Sequence, residues 1–162
     1  MKKRYTADCI LEYKSGGETF IVLIERKNYP YGYAIAGGFR DLKKGFEHLQ
    51  GDSPIPPAFS SDELLEPSFE AAKREVEEEV GVGDTFIIDM IGFYDSFDRD
   101  PRGHNVSHVY LGRTKQKPVA GSDAKSVVMV NKKGIVDFVE NNEFAFDHKK
   151  IMKDYIKKSL GE

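Results

Sequence analysis

Apolar and β-branched residues gather in two short runs near the start of the chain, Tyr5 to Tyr13 and Thr19 to Arg26, separated by Ser15-Gly16-Gly17-Glu18. A short Gly-containing connection between two such runs predicts an antiparallel hairpin. A third strand-like piece, Tyr33-Ala34-Ile35-Ala36, runs into Gly37-Gly38, and the paired glycines predict unusual backbone there. From about Arg40 to Leu65 Gly45, Gly51, Pro54, Pro56, Pro57, Ser60 and Ser61 interrupt any period. That stretch reads as a long loop with one helical turn near Phe46 to Leu49, longer than compact domains usually carry without a function. Pro67 to Val80 then predicts a helix, with Pro67 at its first position, Phe69, Ala72, Val76 and Val80 on one stripe, and Gly81 placed to end it.

Strand patterns follow at Thr85 to Asp95, His104 to Thr114 and around Ser126 to Val130, with loops at Phe97 to Gly103 and Lys115 to Lys125. Ile135 to Glu140 reads as a short helix. Asp147 to Leu160 reads as a longer one, because Ile151, Met152, Tyr155, Ile156 and Leu160 recur at helical spacing. This order predicts an α/β fold with a mixed sheet and helices packed on it.

Composition narrows the picture without adding chemistry. A chain of 162 residues with 40% hydrophobic and 31% charged residues can build one core of its own, so residues 1–162 are expected to form a single domain. A formal net charge of -3 offers no broad positive field for nucleic acid or anionic lipid. Apolar stretches such as Ile21 to Ile24 are far shorter than the ~20 residues that cross a bilayer, and Met1-Lys2-Lys3-Arg4 leads into no apolar run. No membrane partner is therefore expected. Cys9 is the only cysteine, which excludes an internal disulfide and fits a cytoplasmic location. It is expected to be a buried strand residue, not a nucleophile.

The chemistry concentrates in Arg74-Glu75-Val76-Glu77-Glu78-Glu79-Val80-Gly81-Val82. On a helix Glu75, Glu78 and Glu79 stand at i, i+3 and i+4, so their carboxylates share a face and repel one another. A hard divalent cation such as Mg²⁺ compensates such a cluster, and Arg74 can neutralise part of it while orienting one carboxylate. Glu66, just ahead of the helix, is a second partner for that arginine. The competing reading is a solvated acidic face, which is what most Glu-rich runs are.

Spacing separates the two. Seven residues lie between Glu66 and Arg74-Glu75, followed by an apolar residue, a variable one, Glu78-Glu79, another variable one, Gly81 and an apolar residue. This resembles the Nudix box (Gly, five residues, Glu, seven residues, Arg-Glu-apolar-X-Glu-Glu-X-Gly-apolar), and the match from Glu66 to Val82 is complete. Ser60 stands where the box glycine would fall. Gly38 of Gly37-Gly38-Phe39 is the counterpart, which leaves roughly twenty-two extra residues between Phe39 and Glu66, a length that closure entropy tolerates. Ile21 to Phe39, Asp98 to His104 and Phe146 to Ile151 are similar to stretches of the ADP-ribose pyrophosphatase subgroup, with Ala36 in place of its usual proline. The subgroup's loop glutamate is also replaced, by Ser126 in Gly121-Ser122-Asp123-Ala124-Lys125-Ser126, with Asp123 or Glu75 left to substitute.

The resemblance implies a Nudix fold, a mixed sheet sandwiched between helices, and metal-dependent hydrolysis of a nucleoside diphosphate linked to another group. ADP-ribose, giving AMP and ribose 5-phosphate, is the leading substrate. It implies metal ligation by Glu75, Glu78 and Glu79, helped by the Gly37 carbonyl, with Mg²⁺ or Mn²⁺ as the cofactor. Arg74, Glu75 and Glu79 form its catalytic set, and Arg99, Arg102, Gly38 and Phe39 its substrate contacts. A homodimer is implied by the subgroup and not by periodicity.

Two alternatives remain. One is a non-catalytic sensor of ADP-ribose or a nicotinamide-related metabolite, favoured by Ser126 but opposed by the intact trio and by a chain that ends at Glu162 without room for a DNA-binding domain. The other is an RNA-processing hydrolase using Lys149, Lys150, Lys153, Lys157 and Lys158 of the last helix.

Several residues carry open or modest readings. Arg99 and Arg102 suit bidentate phosphate recognition, or else a salt-bridged turn capped by Asp100. Tyr31, Tyr33 and Phe39 could stack a base or serve packing. His104 and His108 read as packing or solvent-facing residues, His148 as an element of helix capping, and His48 carries no assignment.

Overall fold

The structure, a computed structural model, describes residues 3–46, 61–121 and 124–161. The predicted hairpin forms as β1 (Lys3–Ser15) and β2 (Glu18–Arg26), paired from Leu11↔Val22 to Ser15↔Glu18. The single strand expected at Tyr33 to Ala36 is instead two, β3 (Gly32–Ala34) and β4 (Ala36–Phe39), so Gly37 and Gly38 lie inside a strand and not after one. The break has a cause at Ile35. Its N–H donates to Nδ1 of His148 at 3.1 Å, and the chain moves from pairing with β2 through Ala34 to pairing with β1 from Ala36.

Three longer strands complete the sheet: β5 (Phe86–Tyr94), β6 (His104–Thr114) and β7 (Ala124–Asn131). β1 runs parallel to β6 along its length and antiparallel to β2 and β4, β7 pairs with β2, and β5 is an edge strand on β6. The sheet is therefore mixed, as the pattern predicts.

Helices cover both faces. α1 (Ser61–Leu64) is a single turn, α2 (Ser68–Val80) carries the acidic segment, and α3 (Ile135–Asn141) and α4 (His148–Leu160) close the chain. Alternation along the strands sorts the core into two clusters. Ala7, Cys9, Leu11, Val22 and Ile24 pack with Ala71, Ala72, Val76 and Val80 of α2. Ile10, Ile21 and Leu23 pack with Ile135 and Val139 of α3 and with Ile151, Met152 and Tyr155 of α4. Cys9 is buried, and burial pushes its thiol up to about 12, which makes it an inert packing residue.

Pro67 caps α2 from one position outside instead of opening it, and Gly81 ends it at φ 68 as expected. Val119 N–H donates to the Val80 carbonyl at 2.8 Å and Gly121 N–H to that of Glu79 at 2.7 Å, so the loop before β7 satisfies the helix C-terminus.

The long segment read as a loop contains α1, whose Leu64 and neighbouring Leu65 are buried. The helical turn expected near Phe46 to Leu49 lies outside the described residues beyond Phe46, as do His48 and Asp123. The two ends of the segment are tied together: Leu42 bridges Leu65, Lys43 N–H donates to Leu64, and Glu66 N–H donates to Asp41. Chain inserted between them leaves and returns at one point, so its length is not transmitted to Glu66. No helix among the described residues is long and apolar enough to cross a membrane.

Candidate functional site

One cleft of about 520 Å³ gathers the residues that the resemblance assigns to metal, catalysis and substrate: Gly37, Gly38, Phe39, Arg74, Glu75, Glu78, Glu79, Arg99 and Arg102. It also brings in Asp8, Arg26, Asp41, Phe146 and His148, to which sequence reasoning gives no role in the site.

Arg74 organises part of the α2 cluster, pairing with Glu75 and Glu78 while Glu79 turns to Gly37. Nη1 of Arg74 donates to Glu75 at 3.0 Å and to both oxygens of Glu78 at 3.2 Å. Nη2 donates to Glu66 at 2.6 Å and to the Phe39 carbonyl at 3.0 Å, while Nε approaches Asp41 at 3.3 Å. Burial opposes the charge on Arg74, but Glu66, Glu75 and Asp41 outweigh it and raise its pKa. Glu66 is itself fixed by accepting from the N–H of Asp41 at 2.8 Å.

Glu79 faces the strands. It accepts from Gly37 N–H at 3.3 Å and is 9% exposed. Burial, with the neighbouring Glu75 and Asp8 charges, pushes its carboxyl up to about 8 against the opposing Gly37 hydrogen bond. Burial pushes Glu75 up to about 7, with Arg74 opposing and Glu78 adding to the rise. The glycines are required by this close approach: a Cβ at Gly38 would meet Oε1 of Glu75 at 2.5 Å, and one at Gly37 would meet the Asp8 carboxylate.

Asp8 is buried on β1 opposite Gly37, accepts from the Ser107 hydroxyl, and is pushed up to about 6 by burial despite that bond and the Arg99 charge. An aspartate inside the apolar run Ala7-Asp8-Cys9-Ile10-Leu11 was the sequence signal for it. Asp8, Glu75, Glu78 and Glu79 thus bring four carboxylates to one cleft wall, where Arg74 pairs with two of them. That chemistry fits a divalent cation. Among the described residues no three acidic, His or Cys side chains yet converge on one point, because Arg74 bridges Glu75 and Glu78 while Glu79 bonds Gly37.

The two loop arginines separate. Arg99 is buried and donates to Asp147 at 2.9 and 2.8 Å and to the Asn105 carbonyl at 3.1 Å. The salt-bridged reading describes both arginines, Arg102 with Asp100 as expected and Arg99 with Asp147, and both side chains line the cleft. Arg102 takes Asp100, through Nε at 3.0 Å and Nη2 at 2.9 Å, and its guanidinium stands over the rings of Phe146 and Phe39. Phe39 also lies under Arg4 at 4.4 Å.

The remaining aromatic and basic candidates serve packing and ion pairs. Tyr33 meets Phe138 edge-on and Phe144 at a tilt, whereas Tyr31 is exposed and meets Tyr29 edge-on. His104 accompanies Phe97 and His108 accompanies Phe93. His148 is buried, accepts from Ile35, and is held neutral, pushed down to about 3 by burial and by nearby Arg99 and Arg26. Ser126 lies outside the cleft lining and donates to Glu25 at 3.2 Å. Lys150, Lys153 and Lys158 of α4 pair with Asp154, Glu140 and Asp89.

Comparison with known proteins identifies the family and the fold. The NUDIX domain profile matches residues 2–156. The chain is 34% identical over 146 residues to an ADP-ribose pyrophosphatase of Methanocaldococcus jannaschii, an alignment covering 85% of the chain and 66% of that relative's length. The NUDIX domain of NrtR from Shewanella oneidensis, solved with ADP ribose, superposes with a TM-score of 0.69 at 18% identity, over 98% of this chain and 89% of that one. A bifunctional NMN adenylyltransferase/ADP ribose pyrophosphatase of Francisella tularensis, solved with AMP and a manganese ion, gives 0.64 at 21% identity over 96% and 42%.

Proposed function

The chain belongs to the Nudix family, and from that premise we propose that it is a metal-dependent pyrophosphohydrolase that cleaves ADP-ribose into AMP and ribose 5-phosphate. The observation that carries the proposal is the placing of Glu75, Glu78 and Glu79 on the wall of one cleft, with Arg74, itself held by Glu66, pairing with the first two. The pyrophosphatase relative supports the choice of substrate.

Glu75, Glu78 and Glu79, with the Gly37 carbonyl, would hold the cation, Mg²⁺ or Mn²⁺. Bound there, it supplies charge neutralisation for the diphosphate and a water of lowered pKa. Arg74 fixes the rotamers of Glu75 and Glu78, and Glu66 fixes Arg74. Burial holds Glu75 and Glu79 above the usual carboxylate range in the metal-free chain, and a bound cation would favour their charged forms, in which they would serve as ligands and could accept a proton from water. Arg102, over Phe146 and Phe39, supplies the positive charge facing the substrate phosphates. Water adds to one phosphorus, the bond from that phosphorus to the bridging oxygen breaks, and the bridging oxygen leaves with the other phosphate.

A homodimer working in the cytoplasm belongs to the same proposal. The exposed Phe86, Ile88 and Met90 on edge strand β5 support the first and the single buried cysteine the second. Ion pairing of the α4 lysines supports a small-molecule substrate over RNA.

Product analysis with ADP-ribose and Mg²⁺ tests the reading. AMP and ribose 5-phosphate should appear with the wild type and not with Glu78→Gln/Glu79→Gln. Binding without turnover across a panel of nucleoside diphosphate compounds would point to the sensor instead.

A further inference from the structure

Phe146 is the one non-glycine residue with positive φ among the described residues, at φ 56. An aromatic residue in the left-handed region is uncommon and persists only where the surroundings hold it. Here the flanking chain is pinned: Tyr33 N–H donates to Glu143 at 3.1 Å, Ala145 N–H to Tyr33 at 2.8 Å, and His148 N–H to Ala145 at 3.2 Å. The turn brings the Phe146 ring to the cleft. Two cations from separate elements stand over it, Arg26 from the end of β2 at 4.8 Å and Arg102 from the loop before β6 at 4.9 Å. The His148 ring lies 4.9 Å away.

We propose that Phe146 is a positioning residue that sets Arg26 and Arg102 as a paired guanidinium clamp for a phosphate group of the substrate, an inference that rests on the nucleoside diphosphate reading above. A ring holds a guanidinium through its face, which is compatible with in-plane bonding to an anion, as Arg102 shows by pairing with the Asp100 carboxylate while over the ring. Both arginines are also tethered by acceptors, one of which, Asp100, lines the cleft beside them. Arg26 Nε donates to the Pro30 carbonyl at 2.7 Å, and Arg102 is held by Asp100, which accepts in turn from Asn105 at 2.6 Å. The shared ring then fixes the distance between two groups that lie far apart in sequence and on different loops.

The test is calorimetric titration of ADP-ribose into the metal-free protein, with kcat and KM measured alongside in Mg²⁺. Phe146→Leu should weaken binding by about tenfold, the scale of losing a partly desolvated ring–cation contact, and raise KM more than it lowers kcat. Phe146→Tyr should restore binding to within about twofold, since its ring attracts cations comparably. In an Arg26→Ala/Arg102→Ala background Phe146→Leu should change nothing further, because the groups through which it acts are gone. If Phe146→Leu fails to fold, Phe146→Met gives the same comparison with unbranched bulk in place of the ring.

Unchanged affinity in a folded ring-less variant overturns the proposal. So does an equal loss in the arginine-less background. A wild type that binds no ADP-ribose overturns both this proposal and the activity reading. One that binds without hydrolysing overturns the activity reading alone, and the variants still decide the role of Phe146.

Discussion

Nη2 of Arg74 lies 2.6 Å from Oε1 of Glu66, and this bond ties the residue that begins the intact part of the box to the helix that carries its carboxylates. Glu66 is also the point to which the long inserted segment returns, and Asp41 at the start of that segment pairs with the same Arg74 at 3.3 Å. Glu66→Gln should leave Arg74 with a weaker acceptor and let its guanidinium turn. Loss of an outer partner that orients a metal ligand costs about 10–100-fold in activity or metal affinity. We expect that fall in kcat/KM with a stability change of about 1–2 kcal/mol. A variant with wild-type kcat/KM would show that Arg74 needs no such anchor.

Divalent cation should stabilise the folded chain through α2. Burial and mutual repulsion disfavour the charged forms of Glu75 and Glu79, and a cation that binds only the folded state relieves this. Mg²⁺ at about one hundred times its Kd should add about 2.7 kcal/mol, or roughly 5–10 °C in Tm for a chain of this size. Glu78→Gln/Glu79→Gln should abolish the shift, and a chelator should reverse it in the wild type. An equal shift in the variant, read by thermal unfolding, would place the cation elsewhere.

Much of this site was legible because its key spacings are local. Glu66, Arg74, Glu75, Glu78 and Glu79 lie within one helix and the turn before it, where distance along the chain fixes distance in space. Strand positions were legible for a similar reason, since alternation sorts Ala7, Cys9 and Leu11 from Ile10 before any partner is known. Asp8 was not, because its importance comes from Gly37, which faces it only through a long-range ladder. Arg99 and Arg102 looked interchangeable until Asp147, far along the chain, took one of them. No residue type announces the positive φ of Phe146, which the pairing of its flanking chain with Tyr33 imposes.

The two glycines of β4 should respond differently to the same added methyl. A Cβ at Gly37 would strike the Asp8 carboxylate and the backbone carbonyl of Ala7 at 2.7 Å, and the carbonyl cannot yield without moving β1. Gly37→Ala should therefore cost about 1–3 kcal/mol in urea unfolding, the usual range for overpacking. At Gly38 the obstacle is the carboxylate end of Glu75, which can swing aside. Gly38→Ala should lose little stability but at least tenfold in kcat, because Glu75 is displaced. Equal stability losses at the two positions would contradict this distinction.

Glu12 carries a buried charge that has nothing to do with the cleft. It is 1% exposed and accepts from Arg113 at 2.9 Å, Lys132 at 2.9 Å and Tyr155 at 2.6 Å. Burial alone would raise its pKa, but these three donors outweigh it and lower it. Removing one partner of a buried, bonded charge costs about 3–5 kcal/mol. Glu12→Ala should lose that much in denaturant unfolding while leaving KM unchanged at temperatures where it stays folded. A loss below about 1 kcal/mol would mean that water reaches the site and satisfies the partners.

His148 gives the fold a specific acid sensitivity. Its ring is buried, its Nδ1 accepts from Ile35 at the junction of β3 and β4, and its pKa is pushed down to about 3 by burial and by the Arg99 and Arg26 charges, with Asp100 opposing. The unfolded chain binds the proton from about pH 6.5 downward while the folded chain refuses it, so this contribution is complete above pH 6.5 and is lost as pH falls toward 3. Between pH 7 and pH 5 the loss should be about 2 kcal/mol. Asp8, Glu75 and Glu79 act oppositely in this window, because their raised values make the folded state the better proton acceptor as pH falls. The wild-type slope is therefore a difference between the two effects. His148→Gln, which keeps an acceptor for Ile35 without a titrating ring, should remove one side of that difference and make the protein gain stability relative to wild type on going from pH 7 to pH 5. Urea unfolding of both chains at the two pH values decides it, since parallel slopes would show that the ring is protonated as readily folded as unfolded.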